Sequence, residues 1–211
     1  MKITKIGHCC LLIEENNLRI LTDPGNYSTG QEDVENIDLI LITHEHQDHI
    51  HIESLKKVLA KNPQVKIITN HGVAKLLDPE KISYQFLEDK ESIIVKDVLI
   101  EGFGNIHAEI HSEIPSVQNT GYFIANRLFY PGDAFHNPGK KVEILALPVA
   151  GPWLKISEAI EYAREISPKI AFPVHDANLK SRGGVHRHPA KLLEPREIQF
   201  IVIEEGETRE F

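Results

Sequence analysis

Hydrophobic positions along the chain fall into short runs with strand character, separated by polar turns. The first 22 residues predict three strands, at 3–6, 10–13 and 18–22, with an Asn16-Asn17 turn between the last two. A continuous apolar run follows at 39–43, which is typical of a strand buried on both faces. We therefore expect an opening hairpin that leads into a buried strand.

A helix and a further strand are predicted directly after this buried run. Ile52, Leu55 and Val58 recur at helical spacing and stop before Asn62-Pro63. An apolar run at 65–69 predicts the next strand. This order is typical of a β-α-β unit.

The second half of the chain repeats this order. Short strands are predicted at 93–95, 98–101, 121–125 and 128–130, and a buried strand at 142–147. An apolar helical stripe then runs from Ile156 to Ile166, with Ser157 as its expected N-cap, and a strand at 170–174 ends in His175. Residues capable of chemistry follow strand ends in both halves. The pattern predicts an α/β fold with two facing sheets, helices outside them and an active site at one edge.

Length and composition indicate one globular domain. The chain has 211 residues, of which 41% are hydrophobic and 26% are charged. Such a chain can bury a full core and lies far from the composition of disordered proteins. We assign residues 1–211 to a single domain.

Charge and patterning argue against several classes of protein. The formal net charge of −8 opposes broad binding to nucleic acid or to anionic membranes. No run of 18 apolar residues occurs, so we expect no membrane span, no signal peptide and a cytoplasmic location. The cysteines are two neighbours, Cys9 and Cys10, which argues against a disulfide framework.

Three of the 12 histidines lie within six positions, directly after the buried strand at 39–43. In an extended stretch His44 and His46 point to the same side, because side chains alternate with period two, so both imidazoles can bind one ion. The turn at Asp48-His49 directs a second pair toward another ion. A solvated polar loop rarely concentrates histidines in this way. The segment therefore predicts a metal site.

The spacing His44-x-His46-x-Asp48-His49 after an apolar strand resembles the hallmark of the metallo-β-lactamase fold hydrolases. Four further segments resemble the other motifs of that family in the expected order: Gly7-His8-Cys9, Thr22-Asp23-Pro24, Pro131-Gly132-Asp133 and Pro173-Val174-His175. The resemblance covers residues 3–176 and is nearest to a small lactonase-like branch that includes ascorbate-6-phosphate lactonase. It implies a four-layer αββα sandwich with two facing mixed β-sheets.

The resemblance also implies a set of ligands for two divalent metal ions. The first ion is assigned to His44, His46 and a histidine from the middle of the chain, the second ion to Asp48, His49 and His175, with Asp133 bridging both. His107 and His111 are the two candidates for the middle histidine. We choose His107, because it comes soon after the predicted strand that begins at residue 98.

Two positions keep alternative interpretations. His8 either forms a hydrogen bond within its own turn or lies beside the metals. Asp23 either orients a ligand imidazole or caps a turn.

The chemistry implied by such a site is hydrolysis. We expect zinc, although manganese and iron accept the same ligands. Two ions of this kind make hydroxide available near neutral pH, and Asp48 is the expected catalytic acceptor of the water's proton. The candidate substrates, in order of preference, are a lactone, an ester, an amide and a phosphodiester.

We further expect the substrate to be a small anion, because the ions carry positive charge while the rest of the protein is acidic. A glycine-containing basic stretch at 183–188 is expected to be flexible and to line the substrate entrance. Lys180, Arg182 and Arg187 are the candidates to pair with the anion.

Three alternatives differ in their activity. A nuclease of the same fold would share the ligands, but the net charge of −8 opposes it. A di-iron redox enzyme would require a larger carboxylate share and a flavin partner. A metal-binding regulatory protein without turnover would have a closed site. The sequence leaves the oligomeric state open, and a homo-oligomer is one of the alternatives.

Overall fold

The computed structural model describes residues 1–211, which form two seven-stranded sheets and four helices. The first sheet contains β1 Lys2–Lys5, β2 Leu11–Glu15, β3 Leu18–Thr22, β4 Leu39–Leu41, β5 Lys66–Thr69, β6 Gln85–Phe86 and β14 Thr208–Glu210. The second contains β7 Ser92–Val95, β8 Val98–Phe103, β9 Gly121–Ile124, β10 Leu128–Tyr130, β11 Ile144–Pro148, β12 Ile170–Val174 and β13 Gln199–Phe200. The helices are α1 Ile52–Lys61, α2 His71–Leu77, α3 Ile156–Ile166 and α4 Gly183–Leu193. None of them combines the length and the apolar composition that a membrane crossing requires.

Both sheets are mixed, with an antiparallel half and a parallel half. The first has the strand order β14-β1-β2-β3-β4-β5-β6, and the pairs from β3 to β6 are parallel. The second has the order β13-β12-β11-β10-β9-β8-β7, and the pairs from β10 to β13 are parallel. Parallel neighbours need a crossover, which α1 provides between β4 and β5 and α3 between β11 and β12. The two predicted strand-helix-strand units are confirmed.

Strand β4 shows how the first sheet separates two apolar layers. Leu39 and Leu41 point inward and pack with Ile144 and Phe172 of the second sheet. Ile40 points to the opposite face and belongs to the layer under α1. Because side chains alternate along a strand, a continuous apolar run fills both layers.

Strand β11 does the same for the second sheet. Leu145 and Leu147 point outward and pack against Ala159 and Ala163 of α3. The molecule is therefore a sandwich with a helical layer outside each of two facing sheets. The predicted αββα fold is confirmed.

Two local predictions are wrong. The basic stretch at 183–188 is not a flexible loop, because it forms the first half of α4, where the buried Pro189 and Leu193 anchor the helix four residues apart. Ser157 is not an N-cap, because α3 already begins at Ile156. The backbone N–H of Lys155 instead donates to Oε2 of Glu158, at 2.8 Å.

Candidate metal centre

The predicted site residues lie just beyond the ends of strands from both sheets. His44 follows β4, Asp133 follows β10 and His175 follows β12 directly. The parallel strands of each sheet end at one edge, and the two edges face each other across the sandwich. The chain after β4 turns tightly, since the backbone N–H groups of His49 and Ile50 both donate to the carbonyl of His46, at 2.9 Å. This turn directs successive side chains of the motif into the same space.

His44, His46 and His107 form a first group of nitrogen donors. Each offers one ring nitrogen, and these three nitrogen atoms lie within 4.8 Å of one another. Nε2 of His44 and Nδ1 of His46 are only 3.1 Å apart. The structure thus brings His107 to this group, whereas His111 is exposed and its Nδ1 accepts a hydrogen bond from the backbone of Glu113, at 3.2 Å.

Asp48, His49 and His175 lie beside Asp133, which occupies the middle of the site. Nε2 of His175 is 3.3 Å from Oδ2 of Asp48 and 2.9 Å from Oδ2 of Asp133. Nε2 of His49 is 3.1 Å from Oδ1 of Asp133. Nε2 of His107, from the first group, is 3.4 Å from Oδ2 of Asp133. The carboxylate of Asp133 therefore touches both groups, as a bridging ligand would.

Several of these atoms are buried without a hydrogen-bond partner. They are Nε2 of His49, His107 and His175 together with Oδ1 of Asp133. A buried polar group without a partner costs about 1–3 kcal/mol, so a cluster of such atoms at one point needs an explanation. Divalent metal ions satisfy imidazole and carboxylate lone pairs at once, and the residues present fit such ions.

Hydrogen bonds on the far side of the rings fix which nitrogen carries the proton. Nδ1 of His49 faces Oδ2 of Asp23 at 2.7 Å, and Nδ1 of His107 faces the carbonyl of Ala108 at 2.6 Å. The hydroxyl of Thr43 donates to Asp23 and so accepts from Nδ1 of His44, at 3.0 Å. Because each Nδ1 must be the donor, Nε2 is the nitrogen that points into the site and is left for a metal ion.

Asp23 is the common anchor behind the ligands. It is fully buried at the end of β3, and its carboxylate accepts hydrogen bonds from the backbone N–H of Thr43, at 2.8 Å, and from the hydroxyl of Tyr130. Burial and the charge of Asp23 raise the pKa of Tyr130 well above its usual range, so the phenol stays a donor. Of the two interpretations of Asp23, the structure favours orientation of a ligand imidazole.

The charges within the cluster act on one another strongly. Although burial opposes it, His49 and His175 hold the pKa of the Asp133 carboxyl well below its usual range. In turn, despite burial, Asp133 raises the pKa values of His49 and His175 well above the ordinary value. Burial lowers the pKa of His44 well below its ordinary value. In the metal-free protein, protons on His49 and His175 thus neutralise the central carboxylate, and metal ions compete with those protons.

Trp153 contacts the centre and had no place in the sequence analysis. Its indole Nε1 donates to Oδ2 of Asp133 at 2.7 Å. Gly151 makes room for this contact, since its φ is 144° and a Cβ there would lie 2.8 Å from the indole nitrogen. The signal available in the sequence was that the single tryptophan of the chain follows Gly151-Pro152 just after a buried strand.

The centre opens onto a cavity of about 460 Å³. Its lining consists of Asn26, Tyr27, His46, Gln47, Asp48, His107, Ile110, Asp133, Pro152, Trp153, His175 and Asn178. This lining contains no lysine or arginine. Arg182, one of the expected anion partners, instead donates to the carbonyl of Asp176 at 3.0 Å and to the carboxylate of Glu205. Lys180 and Arg187 are exposed and do not line the cavity.

The sequence has relatives across most of its length. The model of the beta-lactamase superfamily domain matches residues 2–175. The Mycobacterium tuberculosis protein Rv0786c is 38% identical over 183 aligned positions, and the alignment covers 84% of this chain and 84% of the relative. A UPF0173 protein of Pyrococcus abyssi is 32% identical over 186 residues, 83% of each chain. A UPF0173 metal-dependent hydrolase of Aeropyrum pernix is 26% identical over 245 aligned residues, 100% of this chain and 97% of the relative.

Solved structures share the architecture. A crystal structure of a Parabacteroides distasonis protein superposes with a TM-score of 0.79 at 25% identity and covers 96% of this chain and 92% of the other. Igni18, a metallo hydrolase from Ignicoccus hospitalis, superposes with a TM-score of 0.76 at 20% identity, covering 100% of this chain and 98% of the other. The likeness to Igni18 concerns the fold.

Proposed function

The chain belongs to the beta-lactamase superfamily, together with its UPF0173 relatives, and we propose that it hydrolyses a small-molecule ester or lactone, with a phosphodiester as the alternative. It is a metal-dependent hydrolase, the activity by which its Aeropyrum pernix relative is named. One observation carries the proposal furthest. Nε2 of His49, His107 and His175 and Oδ1 of Asp133 are buried without hydrogen-bond partners, and they lie together beside an open cavity.

We propose that two ions occupy this centre and that they are zinc. The first would be held by His44, His46 and His107, the second by Asp48, His49 and His175, and Asp133 would contact both. When bound, such a pair supplies hydroxide near neutral pH and withdraws electrons from the oxygen of the scissile group. The donor set of imidazole nitrogen and carboxylate oxygen favours zinc, and manganese and iron are the alternatives.

The side chains of the site have separate tasks in this mechanism. Asp48 reaches the cavity with about 20% of its side chain exposed. Although burial opposes it, the imidazoles of His175 and His8 beside the carboxylate hold the pKa of the Asp48 carboxyl well below its usual range, so it is ionised. It can therefore accept a hydrogen bond from the attacking water and orient it, whereas so low a pKa makes the carboxylate a weak acceptor of the water's proton. Asp23 keeps the ring of His49 fixed while charge develops.

The cavity suits a compact organic substrate. Its volume lies within the range of small-molecule sites, about 300–1,000 Å³. Asn26, Gln47 and Asn178 offer amide groups, while Ile110 and Pro152 offer apolar contact. An open cavity argues against a regulatory protein without turnover, because it leaves room for a substrate beside the centre.

The expected anionic character of the substrate stays a prediction. Since no lysine or arginine lines the cavity and its histidines are expected metal ligands, attraction of an anion would have to come from the metal ions themselves. We expect a phosphorylated lactone to be preferred over its parent, and the Arg182→Ala/Arg187→Ala variant to keep that ratio of kcat/KM. Equal turnover of both lactones would contradict the expectation of an anionic substrate.

The absence of lysine and arginine from the cavity lining also argues against a nuclease. The cytoplasmic location likewise stays a prediction.

A hydrolysis screen tests the proposal. Zinc-loaded protein is assayed against lactones, aryl esters, phosphodiesters and β-lactams, together with His46→Ala and the control His188→Ala, whose histidine is exposed on α4. We expect lactone or ester hydrolysis that His46→Ala abolishes and His188→Ala retains. Metal-loaded protein that hydrolyses none of these compounds would contradict the proposal.

A further inference from the structure

His8 lies at the floor of the centre, although the ligand set described above does not include it. The residue stands between β1 and β2 and is fully buried. Its Nε2 is 3.4 Å from Oδ2 of Asp48 and has no hydrogen-bond partner of good geometry. Together with Cys9, His49 and His175 it forms a set of donors within 4.8 Å of one another, so distance alone would allow it to hold a metal ion.

The other nitrogen of the ring excludes that role. Nδ1 of His8 accepts a hydrogen bond from the backbone N–H of Ala177, at 3.2 Å. An imidazole nitrogen that accepts carries no proton, so the proton of the neutral ring is on Nε2. A metal ion on Nε2 would move the proton to Nδ1, where it would face the N–H of Ala177, donor against donor. His49 and His107 show the opposite arrangement, because their Nδ1 atoms face acceptors.

A second pair of contacts ties His8 to the segment that carries His175. The backbone N–H of His175 donates to the carbonyl of His8 at 3.0 Å, two residues before Ala177 donates to its ring. This segment needs support, since His175 has a φ of 65°, in the left-handed region. The centres of the two imidazole rings are 4.1 Å apart. His8 therefore contacts both Asp48 and the segment that carries His175, two of the expected ligands.

We propose that His8 is a positioning residue: its Nε2–H donates to the carboxylate of Asp48, and its Nδ1 and carbonyl hold the segment from His175 to Ala177. The donor orients Asp48 toward the second ion and the attacking water without adding a ligand to that ion. The contribution of this contact to hydrolysis rests on the proposed function. The assignment of the proton to Nε2 is independent of the proposed function, because it follows from the hydrogen bond that Ala177 donates to Nδ1.

Imidazole NMR tests the proton assignment directly. Long-range ¹H–¹⁵N correlation spectra of histidine-labelled protein distinguish the two tautomers, and comparison with His8→Gln identifies the His8 signals. We expect the Nε2–H tautomer both in the metal-free protein and after two equivalents of zinc. A proton on Nδ1, or a metal-coordinated Nε2 after zinc addition, would overturn the proposal whether or not the protein is a hydrolase.

Paired variants test the positioning role. His8→Gln places an amide donor at a reach similar to Nε2, whereas His8→Leu removes the donor and keeps apolar bulk. We expect both to bind the wild-type amount of zinc, with kcat reduced about 10-fold to 100-fold in His8→Leu, partly recovered in His8→Gln, and KM little changed. Loss of one zinc ion from folded His8→Gln, or equal kcat values in both variants, would contradict it. If His8→Leu fails to fold, the tautomer spectra of the wild type still decide.

Discussion

The indole Nε1 of Trp153 donates a hydrogen bond of 2.7 Å to Oδ2 of Asp133, the carboxylate between the two groups of ligands. A donor at this position withdraws electron density from the carboxylate and fixes its plane. It thereby limits how the Asp133 carboxylate can turn toward either group of expected ligands. The contact joins the loop after β11 to the end of β10.

Trp153→Phe should remove this donor and keep the ring. We expect kcat or metal affinity to fall about 10-fold to 100-fold, as for other residues that hold a ligand in place. The metal-free variant should lose about 1–3 kcal/mol of unfolding free energy, because a buried carboxylate oxygen loses a partner. Steady-state kinetics and urea unfolding measure the two effects. Tyr27→Phe is the control: Tyr27 also lines the cavity, and we expect mainly its KM to change.

The choice between His107 and His111 gives a second prediction. His107→Ala should lose metal and activity, because the ring completes the first group, whereas His111→Ala should keep metal and activity close to wild type, because that side chain is exposed. Metal content per chain and kcat/KM are the measurements. The reverse pattern would mean that the loop after β8 adopts a different arrangement in the metal-bound protein.

The pH dependence of the metal-free protein should reveal the charge pairing in the centre. Asp133 raises the pKa values of His49 and His175 despite burial, so protonated rings stabilise the fold fully below about pH 6.5, the unfolded value. That stability is lost as the pH rises through the folded values. We expect the melting temperature of chelator-treated protein to fall above neutral pH. Zinc-loaded protein should lack this decline, because its imidazoles are already deprotonated. If the metal-free Asp133→Asn variant showed a decline of equal size, Asp133 would not be the partner of the protonated histidines.

A buried ion pair behind His175 should contribute strongly to stability. Nζ of Lys5 lies 2.7 Å from Oδ1 of Asp176, and both side chains are almost completely buried. Lys5→Met should cost about 3–5 kcal/mol of unfolding free energy, because Oδ1 of the buried carboxylate loses its cation and only Oδ2 keeps partners, His186 at 2.7 Å and Arg182 at 3.9 Å. Lys96→Met, which breaks a half-exposed pair with Asp38, should cost about 0–1 kcal/mol. Denaturant unfolding compares them, and similar losses in both would show that burial does not govern the contribution.

The sequence predicted those parts of the fold that depend on local pattern. The apolar run at 39–43 has side chains for two layers, so its identity as a buried strand follows from its residues alone. His44 and His46 do converge, as predicted, but both lie beyond β4 and His46 is in a bend, so the period of an extended strand is not the reason. Helix α4 escaped prediction because glycines and basic residues dominate its first half, while its apolar contacts through Pro189 and Leu193 come later.

The contacts that complete the centre depend on long-range packing and could not be predicted from spacing. The indole of Trp153 reaches Asp133 beside Gly151, where a Cβ would lie 2.8 Å from the indole nitrogen. The proton on His8 is set by the backbone of Ala177, 169 positions away in the chain. Strand β14 pairs with β1 at the far end of the sequence. In each case, the partner is fixed by the tertiary fold rather than by neighbouring residues.

Anomalous scattering at the zinc edge, measured on crystals of the zinc-loaded protein, would locate the metal ions. We expect two peaks per chain, one among His44, His46 and His107 and the other beside His175, with Asp133 between them. A single peak, or a second peak whose ligands include His8 and Cys9 in place of Asp133, would contradict this expectation.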